Sequence, residues 1–232
     1  MSNETQADAG APSPLLTGFH ARGYLPHLKR EGGTYFVTFR LFGSLPKEVL
    51  RKLQEERENI IRQADGTKRP LTRSEHDELF IWYSTKVDRI LDNARHGDLW
   101  LADPRIAQLV TEAIRFFDGV RYELRAFSVM PNHVHVVVRP APSWTLSSIL
   151  HSWKGFTSSK ANQILNRVGQ RFWQKESFDH LCRDDDDVQR CIRYTLDNPA
   201  KAGLCERRED WPWSSAWKGW KTAEAPKERL WK

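Results

Sequence analysis

Apolar and polar positions repeat along this chain with two periods, and the changes of period mark its elements. Thr34 to Phe42, TYFVTFRLF, is rich in β-branched and aromatic residues and ends at Gly43, which predicts a strand. Ser44, a suitable N-cap with Pro46 and Glu48 after it, opens a helix predicted to run to about Gln63, before the Asp65-Gly66 break. Thr72-Arg-Ser-Glu starts a second helix by a capping-type pattern, with Leu79, Trp82, Val87, Ile90 and Leu91 at its apolar positions. Asp103-Pro104 caps a third, carrying Ile106, Leu109, Val110, Ile114 and Phe117. Residues 121–129 and 133–139 then read as two strands, and the short Met-Pro-Asn connection predicts an antiparallel pair. Thr145 caps a long amphipathic helix whose apolar face runs from Leu146 through Trp153 and Ala161 to Val168. Residues 171–182 read as extended or irregular. A last helix begins at the acids Asp184–Asp187, which suit its positive end, and is expected to stop at Asn198-Pro199.

This order predicts an α+β fold, a ferredoxin-like antiparallel sheet with packed helices and a helical insertion after the first strand. The expected divisions are a partly disordered leader over residues 1–30, a main domain over 31–204 containing the insertion at 48–105, and a tail over 205–232. Five of the ten tryptophans, Trp211, Trp213, Trp217, Trp220 and Trp231, fall in that tail, which is expected to pack or bind something.

Composition narrows the class. The chain has 232 residues, 39% hydrophobic and 28% charged, as in an ordinary globular protein. No apolar run approaches a membrane span, and the polar start, MSNETQADAGAPSP, lacks the basic-then-apolar pattern of a signal peptide. A cytoplasmic location without membrane contact is the expectation. Cys182, Cys191 and Cys205 are odd in number and lack CxxC spacing, so they are read as reduced thiols. A net charge of +6 permits nucleic-acid binding without requiring it.

Candidate chemistry centres on MPNHVHVVV. Residues two apart on a strand share a face, so His133 and His135 project together while Val134, Val136 and Val138 face the core. Their roots lie about 6–7 Å apart, close enough to share one ion. An HxH alone is equally a structural pair. Downstream, Tyr194 and Asn198 stand four apart and share a helix face. Each alone reads as core or as a helix stop.

Together these segments resemble the HUH single-tyrosine transposases, in particular the REP-associated tyrosine transposases. MPNHVH and the distal RYTLDNPAKAGL carry most of the resemblance. YFVTFRLFGSLP, SWKGFTSSKANQIL, FWQKESFDHLCRDDDD and WPWSSA follow the family's order. The resemblance implies His133, His135 and Asn198 as metal ligands and Tyr194 as the covalent nucleophile. It implies a metal-dependent single-strand DNA endonuclease and strand transferase that uses Mg²⁺ or Mn²⁺ and forms a 5′-phosphotyrosine near DNA hairpins. Single-stranded or hairpin DNA is the expected partner, and a monomer the expected state, since the tail beyond Gly203 can pin the tyrosine helix.

Arg40, Lys154, Lys160, Arg171 and Lys175 are candidate DNA contacts, equally readable as ordinary surface charges. His180 and Glu176 are further residues near the site, with hydrogen-bonding roles as good a reading as ligation. A non-catalytic hairpin-binding protein of the same fold is the main alternative. A hydrolytic metalloenzyme in which Tyr194 is merely structural is the more remote one.

Overall fold

The computed structural model describes residues 18–22, 25–30, 32–52, 55, 78 and 81–221. Much of the two expected insertion helices, the Asp65-Gly66 break, the start of the leader and Trp231 lie outside the described residues. β1 (Gly18–Arg22) and β2 (Leu25–Lys29) form an antiparallel hairpin within the segment expected to be a leader. β3 (Tyr35–Arg40), β4 (Tyr122–Val129), β5 (His133–Pro140) and β6 (Phe178–Leu181) form one sheet in the order β4-β5-β3-β6, antiparallel throughout. With helices between β3 and β4 and between β5 and β6, this is the ferredoxin-like topology and an α+β fold.

β6 lies in the stretch read as extended or irregular. It follows the pairing of Phe172 and Gln174 with Phe42 and Arg40 and prolongs that contact along β3. Only His180 shows a clear inward polar position there, so no alternation announces so short an edge strand.

A π-helical turn, Tyr83–Asp88, leads directly into α1 (Arg89–Asp92). Gly97, at φ +73°, then presses against the turn after β3, where an added Cβ would meet Gly43 O at 2.5 Å. The end of the insertion is thereby fixed beside the sheet. α2 (Pro104–Arg115) begins at its Asp103 cap, and α3 (Leu146–Ile164) at a Thr145–Ser148 capping box. α3 ends before Val168, which is 78% exposed rather than core. Asn166 and Gly169 take positive φ and turn the chain away.

α4 (Asp185–Lys201) runs through Pro199 instead of stopping there. Proline deletes only its own N–H bond, and so near the end the helix closes on other donors. Ala202 N donates to Asn198 O, Gly203 N to Ala200 O, and Gly203 supplies the φ of +73° that ends many helices.

One sheet face, with Tyr35, Val37, Phe39, Val134, Val136 and Val138, packs on α2 and α3 through Ile106, Val110, Ile114, Ile149 and Trp153. The opposite face presents Phe36, Ala126 and Val137 to α4 and to Val87 and Leu91. No helix among the described residues is long and apolar enough to cross a membrane.

The tail packs along β4. Val129 N donates to Trp213 O and Ser215 N to Phe127 O, and Trp211 Nε1 donates to Val129 O at 3.0 Å.

Candidate active site

Strand register brings the ligand-type residues together. Arg40 stands opposite His133 and Thr38 opposite His135, all on the face covered by α4. Both imidazoles are fully buried, and their Nε2 atoms lie 2.9 Å apart. Asn132 sets the tautomer of His133. Its amide Nδ2 donates to Leu91 O at 3.0 Å, which leaves Oδ1 to accept from His133 Nδ1 at 2.7 Å. The lone pair of His133 is therefore on Nε2, facing His135. Thr38 Oγ1 holds His135 Nδ1 at 2.9 Å, which frees the Nε2 of that ring for the same point. Two lone pairs so placed repel unless a proton or a cation lies between them.

α4 supplies the next groups. Asn198 Nδ2 is 3.1 Å from His135 Nε2, while its buried Oδ1 has no partner among the described residues. Turning that amide over presents the oxygen to the histidines. One turn earlier, the Tyr194 ring packs edge-on to His135 at 5.6 Å and to Phe36 at 5.6 Å. The structure thus brings His133, His135, Tyr194 and Asn198 together within one chain.

Two carboxylates missing from the sequence reading complete the group, and both come from the insertion. Asp88 is fully buried and accepts a 2.6 Å hydrogen bond from the Tyr194 hydroxyl. A carboxylate oxygen of Asp88 and a nitrogen of each histidine lie within 4.8 Å of one another. Asp92 Oδ1 is 3.5 Å from His133 Nε2 and, like Asp88 Oδ1, has no hydrogen-bond partner among the described residues. A signal for them existed. Asp88 and Asp92 are like charges at i and i+4, interleaved with Val87 and Leu91, and such a pair on an apolar face is unfavourable without a shared counter-charge.

Burial drives the two histidines and the two carboxylates toward their neutral forms. It depresses His135 to about 3 and, together with the charges of His135 and Arg40, holds His133 well below the usual histidine range. It lifts Asp92 to about 7 against the pull of Lys201. Asp88 rises well above the carboxylate range, with the Tyr194 hydrogen bond opposing burial and the charge of Asp92 adding to it.

Such a donor set fits a divalent cation. Two nitrogens about 2.0–2.1 Å from one ion and at right angles lie about 3 Å apart, which is the separation seen. Orphaned oxygens of Asn198, Asp88 and Asp92 surround that point, and a cation reverses the cost of the carboxylate charges.

The candidate DNA contacts are dispersed. Arg40 is 8% exposed and donates to Ser44 Oγ at 3.1 Å beside the histidines. Lys154 is spent on structure, its Nζ donating to Gln174 O at 2.6 Å and Lys175 O at 2.8 Å. Lys160 and Lys175 are exposed, as is Arg171, which lies over the Phe42 ring at 5.4 Å. Trp153 and Trp173 are buried, with Trp153 Nε1 donating to Tyr122 OH and Trp173 Nε1 to Thr157 Oγ1. Glu176 is half-buried, and His180 points into the core, bonded to Asp187.

Residues 102–194 match the family "Transposase IS200 like". Two curated REP-associated tyrosine transposases are similar, that of Haemophilus influenzae at 29% identity over 103 residues and that of Escherichia coli K12 at 26% over 95 residues. Each match takes in 40% of this chain and 58% or 54% of the relative, so the chain spans a little over half the length of the curated relatives it matches. A solved structure of a REP-associated tyrosine transposase bound to a REP hairpin aligns with 91% of this chain and 97% of its own, at 19% identity and a TM-score of 0.47.

Proposed function

We propose that this chain, similar to curated REP-associated tyrosine transposases, is a metal-dependent single-strand DNA endonuclease and strand transferase acting near hairpins. One observation carries the proposal. The Tyr194 hydroxyl is held by a buried carboxylate on one side of a pair of converging imidazoles.

His133, His135 and Asn198, with Asp88 or Asp92, would hold Mg²⁺ or Mn²⁺, oxygen- and nitrogen-rich ligands without thiolate favouring those ions. When bound, the ion polarises a phosphate oxygen and offsets charge in the transition state.

The remaining steps belong to the chain's own side chains. Asp88, which already accepts the hydrogen bond of the Tyr194 hydroxyl, takes the phenolic proton. Tyr194 attacks the phosphorus and forms a 5′-phosphotyrosine as the 3′-hydroxyl leaves. Phenolate is also a good leaving group, so a second 3′-hydroxyl reverses the step and the phosphodiester energy is conserved. Arg40, beside His133, adds fixed positive charge where the phosphate must lie. The exposed Lys160, Arg171 and Lys175 serve the DNA backbone, and the pairing of the tail with β4 fits action as a monomer.

Incubating the protein with Mn²⁺ and a labelled, hairpin-flanked single strand is expected to give a covalent adduct that Tyr194→Phe abolishes. An adduct that survives Tyr194→Phe overturns the proposal. Tight binding with no adduct on a broad set of strands favours a hairpin-binding role instead.

A further inference from the structure

Beyond the tyrosine, α4 meets the edge strand over a second group of ligand-type side chains. His180 lies in β6 and Cys182 directly follows the strand, while Cys191 belongs to α4. All three are buried, and one donor atom from each lies within 4.8 Å of the others. Asp187 borders the group, with Oδ2 2.9 Å from His180 Nε2 and Oδ1 3.8 Å from Cys191 Sγ. Asp187 thus holds the imidazole and one thiol in place at the border of the three donor atoms. Arg183 Nε at 3.2 Å and Arg190 Nη2 at 2.6 Å balance the Asp187 charge, so the carboxylate is paid for without the ion.

We propose that His180, Cys182 and Cys191, closed by Asp187, form a structural zinc site that ties α4 to β6. Thiolates and imidazole select a borderline-soft ion, whereas the oxygen-rich group around His133 and His135 suits hard ones. Full burial, with no position open to substrate, marks a structural site rather than a catalytic one. Binding converts both thiols to thiolates and releases their two protons to solvent, with no redox change. Cys191 lies one turn before Tyr194 and two before Asn198, so the ion fixes the rotation of the helix that aims both. The site uses none of the residues assigned to DNA cleavage and stands or falls separately from that reading.

The test uses the full chain, stripped with a chelator under reducing conditions and titrated with Co²⁺. A thiolate-to-cobalt charge-transfer band that saturates at about one equivalent is expected, as for a closed tetrahedral site. Zn²⁺ should bleach it, Cys182→Ser and Cys191→Ser should each remove it, and His135→Ala should leave it. If the serine variants fail to fold, the band in the folded wild-type chain decides by itself. Absence of that band, its survival in both serine variants, or an intact mass two hydrogens lighter from a Cys182–Cys191 disulfide in metal-replete protein would overturn the proposal.

Discussion

The two faces of the sheet are built from the same strands and do opposite work. On β5, Val134, Val136 and Val138 join an apolar layer with α2 and α3, while His133 and His135 meet α4 and the end of the insertion. The first face is stabilised by burial alone, at roughly 25 cal/mol for each Å² of apolar surface. The second buries imidazoles and carboxylates whose charged forms are all disfavoured, and so it costs stability until an ion arrives. Stability and chemistry are thus separated by the two-residue period of a strand. The ferredoxin-like sheet supplies the two imidazoles, and α4 and the end of the insertion supply the groups that face them.

The strongest break in this comparison is His135→Ala. It should reduce cleavage by more than about 100-fold, since a ligand matters at least as much as the groups that orient one. It should also abolish the rise in Tm that Mn²⁺ gives the wild-type protein. A variant that keeps both its Mn²⁺ shift and its activity would show that the polar face is not a metal site. Asp88→Asn keeps the shape but loses the proton acceptor. A fall in cleavage of about 10²–10³-fold is expected, within the range for general-base loss, with unchanged or improved stability because a buried carboxylate is gone. Single-turnover rates and denaturant melts read the two effects apart.

Val136→Ala tests the opposite face. It should cost about 2 kcal/mol in denaturant unfolding while activity per folded molecule stays near wild type. Equal losses of activity from Val136→Ala and Asp88→Asn would erase the distinction between faces.

Lys154→Met is the subtlest case, because the sequence offered this lysine to DNA and the structure gives it to the 174–177 loop. A loss of about 1–3 kcal/mol is expected, with little change in the salt dependence of DNA binding. Burial, reinforced by the charge of Arg40, lowers its pKa to about 8. The folded state therefore releases this proton at lower pH than the unfolded state, and stability from this group rises between about pH 8 and 10.5. The wild-type advantage over Lys154→Met should widen across that window. A constant difference would mean that the ammonium is not buried.

How far the sequence reveals the molecule depends on the range of the interaction. Strands β3, β4 and β5 and the caps at Asp103 and Thr145 are local signals, and each appears where its pattern predicts. The side-by-side placement of His133 and His135 follows from strand geometry alone. β6 was not legible, because a four-residue edge strand is made by its partner rather than by its own alternation. The end of α4 was misplaced at Pro199 because the competing Gly203 cap lies further on. Asp88 and Asp92 are the instructive omission. They precede the histidines by more than forty positions, and nothing local tells a helix face destined for the site from one turned to solvent. Long-range contacts bring them in: Gly97 against the turn after β3, Asn132 Nδ2 on Leu91 O, and Val87 and Leu91 buried under the sheet.

The seam between the tail and β4 bears on how the molecule keeps to itself. Strand β4 lies at the margin of the sheet, where its outward N–H and C=O groups at Phe127 and Val129 would be free to recruit a strand from another molecule. Trp213 and Ser215 occupy those groups from within the chain, and Trp211 claims a further carbonyl valence on Val129. The segment from Trp211 to Ser215 therefore covers that margin from within the chain. A chain cut before Trp211 would keep the face that holds His133 and His135 and bare the N–H and C=O groups of β4, so aggregation should precede any loss of the fold.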